Sequence, residues 1–347
     1  LLTLNKIYLV PYLKEGLYGF MDARGTEIIA AKYKSIHSRY LCGYITDEIL
    51  VLDSQLVARN GSVIFRGEIS EFSDLESGFL KVETPHGAMV IHKAGFVVAD
   101  SVQDARLVSK SFLALKKKES WFIHTLAGRQ LDTRPWEDIS ALEQAIVFSD
   151  GKSKFIARKE ELVRSADAIP LSLSDPFDEI KQWQRSLLWG RAGEFQGVLD
   201  QSLQRVIGFD KHVLTQTSFG AIAKVANGTA IYNLSGRRSS TFDHVNIIGE
   251  RVAVKEKGSW FFFEPHTQKM LGRAYDSLRA EGPFIIARGS DTVYVHFDAN
   301  VVMRVIKPQR VSFVPGKDST SFLVVQGSTN EKDVHDLKVT KLFSKLF

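Results

Sequence analysis

Cys42 is the only cysteine in 347 residues. That excludes an intrachain disulfide and any Cys-rich zinc or iron–sulfur centre. No apolar run approaches the roughly 18–20 residues that a membrane-spanning helix needs, and no segment reads as an amphipathic helix. The opening LLTLNKIYLVPYL is interrupted by Asn5, Lys6 and Pro11, too early for an intact signal peptide. The start at Leu1 without Met points to a processed or trimmed N-terminus. Charge of one sign is lacking as well: 45 Lys and Arg face 40 Asp and Glu, a net +5, so no nucleic-acid partner is expected. HExxH, G-x-S-x-G, P-loop and EF-hand motifs do not occur. The nine histidines are scattered singly, which suits structural or solvated roles better than a metal site. No metal and no cofactor are expected.

The chain does have aromatic residues, 23 Phe, 9 Tyr and 5 Trp, and these suit half-buried pleated surfaces. It also has a repeat. From Gly220 to Arg304 one pattern is written three times: a short apolar strand ending in a base, a polar turn, a second apolar strand, another turn, and an aromatic-Asp strand. The marker falls at Phe209-Asp210, Phe242-Asp243 and Tyr275-Asp276, a period of 33 residues. Carried outward with decay, it recurs at Tyr33, Arg66, Val102, Trp136, Phe177, Pro308 and Val334. A fixed period in this range means an array, solenoid or propeller. The one long interval, Trp136 to Phe177, contains RKEELVRSADAIPLSLSD and reads as a lengthened loop. The stretch PFDEIKQWQRSLLW, 176–189, falls in register as two strands and a turn.

In several copies a Gly stands three residues after a turn-starting position: Asp22 to Gly25, His92 to Gly95, Thr125 to Gly128 and Asn233 to Gly236. Tight hairpins need that, because Gly reaches positive φ without steric cost.

Two of these stretches, GLYGFMDARGTEIIAAKYKSI at 16–36 and FDEIKQWQRSLLWGRAGEFQGVLD at 177–200, resemble the bacterial WG-repeat family. The Trp-Gly pair itself stands nowhere at its register: Tyr18-Gly19 and Gln196-Gly197 keep the Gly, while Trp121 and Trp260 keep the Trp. The resemblance implies an all-β, propeller-like scaffold and a bacterial, envelope-associated life in the periplasm or at the outer membrane. It implies no particular activity.

The tail VHDLKVTKLF reads as an aromatic-Asp strand with nothing after it, and KIYLVPYLKEGLYGFMD as the rest of a repeat with nothing before it. Joined, they make one repeat. The expected fold is therefore all-β: a closed propeller-like ring of about ten short repeats, its terminal strands sharing one blade. The whole chain forms one such domain, with a subdivision near residue 165 as the variant.

Two patterns bear on function. A base ends the first apolar strand of several repeats: Lys116, Arg191, Lys224, Lys255 and Arg288. In a ring these form an arc of positive charge that attracts an anionic partner, extended by Lys117, Lys118 and the pair Arg237-Arg238. The alternative is solvated bases paired with neighbouring acids. The marker aspartates Asp178, Asp210, Asp243 and Asp276 are candidates for paired acid and base work, although a residue repeated once per copy suits a repeated hydrogen bond better. Trp121, Trp183, Trp189 and Trp260 could stack on sugars or pack between repeats. These patterns point to a non-enzymatic scaffold binding another protein or multi-subunit complex. A carbohydrate- or anionic-polymer-binding module, and a channel-sited hydrolase or lyase, are the alternatives.

Overall fold

The structure, a computed structural model, describes residues 8–38, 40–41, 44–45, 47–164, 171, 173–184, 186–297, 300–307, 310–315, 322–326, 331–335 and 341–346. Cys42, Pro308 and the proposed divide near residue 165 lie outside them.

Strand follows strand throughout. The described residues form ten antiparallel sheets of three or four strands, each built from consecutive strands, and one short hairpin, Tyr40–Leu41 with Tyr44–Ile45. The first five sheets cover 10–33, 49–66, 71–102, 104–125 and 138–158, and the sixth covers 179–210. The seventh to tenth cover 213–233, 244–275, 277–306 and 310–346. The all-β expectation holds, and so do both strands expected in 176–189: they are Glu179–Gln184 and Leu187–Ala192. The lengthened loop instead opens with a helix, Lys159–Arg164. Glu160 and Glu161 in its first turn suit the positive end of the helix dipole, and Leu162 is fully buried.

All four expected glycine turns form. In each, the glycine N–H donates to the carbonyl three residues back, at 2.8–3.0 Å, and each glycine has φ between +80° and +91°.

Among the described residues, the two termini do not share a sheet as expected. Arg310–Val314, Phe322–Gln326, Glu331–His335 and Lys341–Leu346 pair among themselves, and Val10–Lys14 belongs to the first sheet. Val334 is therefore an inner-strand residue and not a marker. The error lay in counting strands, because the last repeat has a complete fourth strand of its own. Among the described residues, no sheet closes on itself.

Contacts divide the chain into two compact units, residues 1–188 with 201–203, and residues 189–200 with 204–347. The division falls within the sixth sheet. Inside each unit the core is a series of layers between consecutive sheets. In the second unit, Phe219, Ile231, Phe242, Val252, Val254 and Phe263 join the seventh sheet to the eighth. Ile248, Ala253, Phe262, Tyr275, Ile285, Ala287 and Tyr294 join the eighth to the ninth, and Phe284, Ile286, Val293, Val295, Val311, Leu323 and Val325 join the ninth to the tenth. Strand alternation explains this. In Phe284–Arg288, Phe284 and Ile286 face one neighbour while Ile285 and Ala287 face the other. A strand buried on both faces reads as an unbroken apolar run, which is why FIIA, VAV and AIA look as they do. The first unit repeats the scheme: Phe112 and Ala114 pack toward the fifth sheet, Leu113 and Leu115 toward the third.

The marker is the joint between two sheets. At three markers the aromatic is buried and closes one sheet: Phe242 pairs with Thr229, Trp136 with Trp121, and Tyr275 with Trp260. Phe209 is half-buried, and Asp210 ends its strand opposite Gln196, two residues before the joint. The residue after it opens the next sheet by donating its N–H to the end of the second strand. Asp243 donates to Lys255 at 2.9 Å, Asp276 to Arg288 at 2.7 Å, Gln103 to Lys116 at 2.8 Å and Glu137 to Ser149 at 2.8 Å.

Candidate functional site

Each second strand therefore has two ends with different chemistry. One end meets the joint and carries the recurrent base. The other follows the first hairpin of the sheet.

At the joint end, register makes four of the five bases equivalent. Lys116 is opposite Asp104, Lys224 opposite Val213, Lys255 opposite His244 and Arg288 opposite Ser277, in every case the first residue of the first strand. By alternation Lys116, Lys224, Lys255 and Arg288 also lie on the same face, the one turned to the following sheet: Ala114, Ile222 and Ile286 share their parity, and Ala253 shares that of Lys255. Their surroundings differ. Lys116 pairs with Glu119 at 2.9 Å, so its charge is neutralised locally. Arg191, in Leu187–Ala192, is half-buried and engaged. Lys224 and Arg288 are exposed and Lys255 half-buried, and among the described residues none of the three forms an ion pair. Lys224, Lys255 and Arg288 thus share one register position in the second unit.

Arg237 and Arg238 are exposed but do not join this row. They follow Asn233, which pairs with Gly220 at the opposite end of the seventh sheet's second strand. The Asn233 side chain holds that turn by accepting from the N–H of Ser235 at 3.1 Å and of Arg237 at 2.9 Å. Arg238 donates to the Thr241 hydroxyl at 3.4 Å. Sequence proximity to a basic strand did not reveal which end of the sheet the pair would occupy.

The marker aspartates Asp178, Asp210, Asp243 and Asp276 are exposed. For Asp243 and Asp276 the repeated bond is their main-chain N–H, the role expected of a residue present in every copy. The tryptophans pack. Trp121, Trp183 and Trp189 are buried, with Trp121 lying 4.2 Å from the Arg106 guanidinium, and Trp260 sits within the layer joining the eighth and ninth sheets.

The hairpin end contains a cleft that sequence reasoning missed. It measures about 760 Å³ and lies within the second unit, where the first hairpins of the seventh, eighth and ninth sheets converge. Phe219, Phe262, Phe263 and Phe284 line it, with Glu250, Arg251, Glu264 and His296 among its polar groups. Arg251 stacks 4.6 Å from the centroid of the Phe262 ring. Glu264 accepts from the His266 N–H at 3.1 Å and so fastens a turn. His296 is 5% exposed, edge-on to Phe262 at 4.9 Å, with Tyr275 Oη 3.4 Å from Nε2 and no partner for Nδ1 among the described residues. Burial, with Arg251 and Arg273 nearby, pushes its pKa down to about 4. Its ring is neutral at neutral pH. The residues just before the three second strands, Phe219, Glu250 and Pro283, all line the cleft, and nothing in their types marks it in the sequence.

No family model matches the chain, and no curated protein does either. The resemblance to WG-repeat proteins therefore stands without a family match. Solved structures of β-propeller type are similar to it. The AfRom2 CNH domain shares 11% identity over 68% of this chain and 94% of its own, with a TM-score of 0.25. BamB from Moraxella catarrhalis shares 10% over 74% and 88%, with a TM-score of 0.23. A structure described as the eukaryotic initiation factor shares 11% over 99% and 96%, with a TM-score of 0.27. Superpositions this loose say nothing about activity.

Proposed function

We propose that the chain is a non-enzymatic repeat scaffold that binds another protein through the joint face of its second unit. The observation carrying this reading is the row Lys224, Lys255 and Arg288: one register position, one strand face, three successive sheets and no ion-pair partner among the described residues. An identical group repeated in series suits attraction to an extended acidic surface, by the steering that charge rows provide. Acid–base catalysis needs the reverse, two titratable groups held in contrasting environments. Repeat scaffolds also hold such groups rigidly, so little order is lost on binding. The extracytoplasmic, envelope-associated complex that we propose as its setting rests on the WG-repeat resemblance alone.

The test is co-purification from the native source with the full chain and with Lys224→Ser/Lys255→Ser/Arg288→Ser. Exposed ion pairs contribute about 0.2–1 kcal/mol each, so the triple variant should bind the co-purifying protein about 3- to 100-fold more weakly at low salt. Its melting temperature should stay unchanged. Equal recovery of the partner by both proteins would refute the reading. Loss of heparin binding in the variant, with no protein partner lost, would move the function to anionic polymers.

A further inference from the structure

The ninth sheet ends on Asn300–Ile306, which among the described residues pairs with Thr292–Phe297 on one side only. An outermost strand exposes a row of main-chain donors and acceptors, and proteins blunt such edges with bulges, glycine, proline or charge. The outermost strands of three other sheets carry these devices. Phe96–Val102 has Asp100 and two register shifts, and Arg205–Asp210 has Gly208, Asp210 and two shifts. Lys269–Tyr275 has Gly272 at φ +76°. Asn300–Ile306 contains no glycine, proline or acid. Its single shift lies near its start, so Met303 to Ile306 match Val295 to Thr292 one for one. Its one charge, Arg304, lies over the Tyr294 ring of the adjoining strand, 5.8 Å from the centroid.

Register shows which groups are open. Lys307 donates its N–H inward to the Asp291 carbonyl at 2.7 Å. In an antiparallel ladder the inward bonds skip every second residue, so the N–H and carbonyl of Arg304 and Ile306 point away from the sheet. Among the described residues these groups have no partner. The two faces of the strand differ. Met303 and Val305 pack against the layer joining the ninth and tenth sheets, while Arg304 and Ile306 lie on the opposite face and are exposed.

The charge of the edge selects what can pair with it. Arg304 and Lys307 are exposed, and neither forms an ion pair among the described residues. Asp291, which faces Lys307 across the ladder, accepts from the Thr292 hydroxyl at 3.0 Å, so the edge has two cations to one acid. A second copy of the chain is a poor occupant. Set antiparallel about Met303, the middle of the strand, it would bring a second Arg304 diagonal to the first, and like charges across a strand pair repel.

We propose that Asn300–Ile306 takes up an extended segment of another protein as an added strand, a segment that alternates apolar and acidic residues. Main-chain bonds to Arg304 and Ile306 supply affinity. The apolar side chains extend the face of Met303 and Val305, and the carboxylates lie on the face of Arg304, with Lys307 beside them.

The experiment titrates a dye-labelled heptapeptide, Thr-Val-Glu-Val-Glu-Val-Thr, with the full chain at low salt and follows fluorescence anisotropy. The same peptide with Lys for Glu, and the same peptide N-methylated at every residue, should each bind at least tenfold more weakly. Ile306→Pro removes one outward N–H and leaves the inward ladder intact, and it should weaken the acidic peptide at least tenfold. Arg304→Glu/Lys307→Glu should reverse the preference in favour of the Lys peptide, an outcome that misfolding cannot produce. The Lys224→Ser/Lys255→Ser/Arg288→Ser variant should bind the acidic peptide as the parent does, which separates this edge from the joint face. Absence of binding by the acidic peptide, equal affinity for the acidic and basic peptides, or binding that survives N-methylation would overturn the proposal. Self-association of the chain that Ile306→Pro abolishes would give the edge to a second copy and overturn it as well.

Discussion

The main-chain N–H of Asp243 donates to the carbonyl of Lys255 at 2.9 Å. Its neighbour Phe242 is 1% exposed and meets Phe263 edge-on at 5.2 Å. The two halves of the marker thus act by different means, the aromatic through its side chain and the aspartate through its backbone. Phe242→Ala should cost about 3–5 kcal/mol, the range for emptying a buried aromatic site. Asp243→Ala, at an exposed position, should stay within about 0.5 kcal/mol. Asp243→Pro removes the N–H itself and should destabilise clearly more than the alanine. Thermal melts of the three variants check this order. An Asp243→Ala variant as unstable as the proline variant would return the role to the carboxylate.

That division also explains what the sequence made legible. The 33-residue period survives because most copies place a buried aromatic at the joint, as Phe242, Tyr275 and Trp136 do, beside a strand apolar on both faces, and those are side-chain demands. The strands at 176–189 and the four glycine turns follow from the same local chemistry. The pairing of the terminal strands was not legible. A fourth strand such as Lys269–Tyr275, largely exposed, has weak apolar alternation, so a complete last sheet looks like an incomplete one. The row Lys224, Lys255 and Arg288 could be read as a period, but its separation from Lys116 depended on Glu119, a hairpin residue outside the pattern. The cleft depends on the convergence of three hairpin tips, and no spacing along the chain records that.

Glycine turns that look alike in sequence differ in what surrounds them. Gly25 and Gly236 both have φ near +80°, at +83° and +80°. A Cβ on Gly25 would meet nothing within 4 Å, whereas one on Gly236 would lie 2.0 Å from the Val206 carbonyl oxygen. Gly25→Ala should therefore cost only the left-handed backbone penalty, about 1–2 kcal/mol. Gly236→Ala adds the displacement of a backbone group, a further ~1–3 kcal/mol. Chemical denaturation of the two variants compares them directly. Equal losses would mean that the Val206 segment yields freely.

Acid should loosen the second unit before its carboxylates titrate. His296 has its pKa lowered from 6.5 to about 4, first by burial and then by Arg251 and Arg273. His212, in the same unit, is also lowered by burial. Between pH 6.5 and about 4 the unfolded chain binds a proton at residue 296 that the folded chain refuses. Protons therefore favour unfolding in that window, and stability falls as pH falls through it. The slope can reach about 1.4 kcal/mol per pH unit for each such histidine. It should flatten above pH 7, where both states are neutral. Replacing His296 by Phe removes the proton acceptor and keeps an aromatic ring against Phe262, so the variant should lose part of the slope between pH 6.5 and 4. Melting temperatures measured across pH 4–8 for the parent and the variant decide the matter, and parallel curves would show that His296 already takes up its proton in the folded chain.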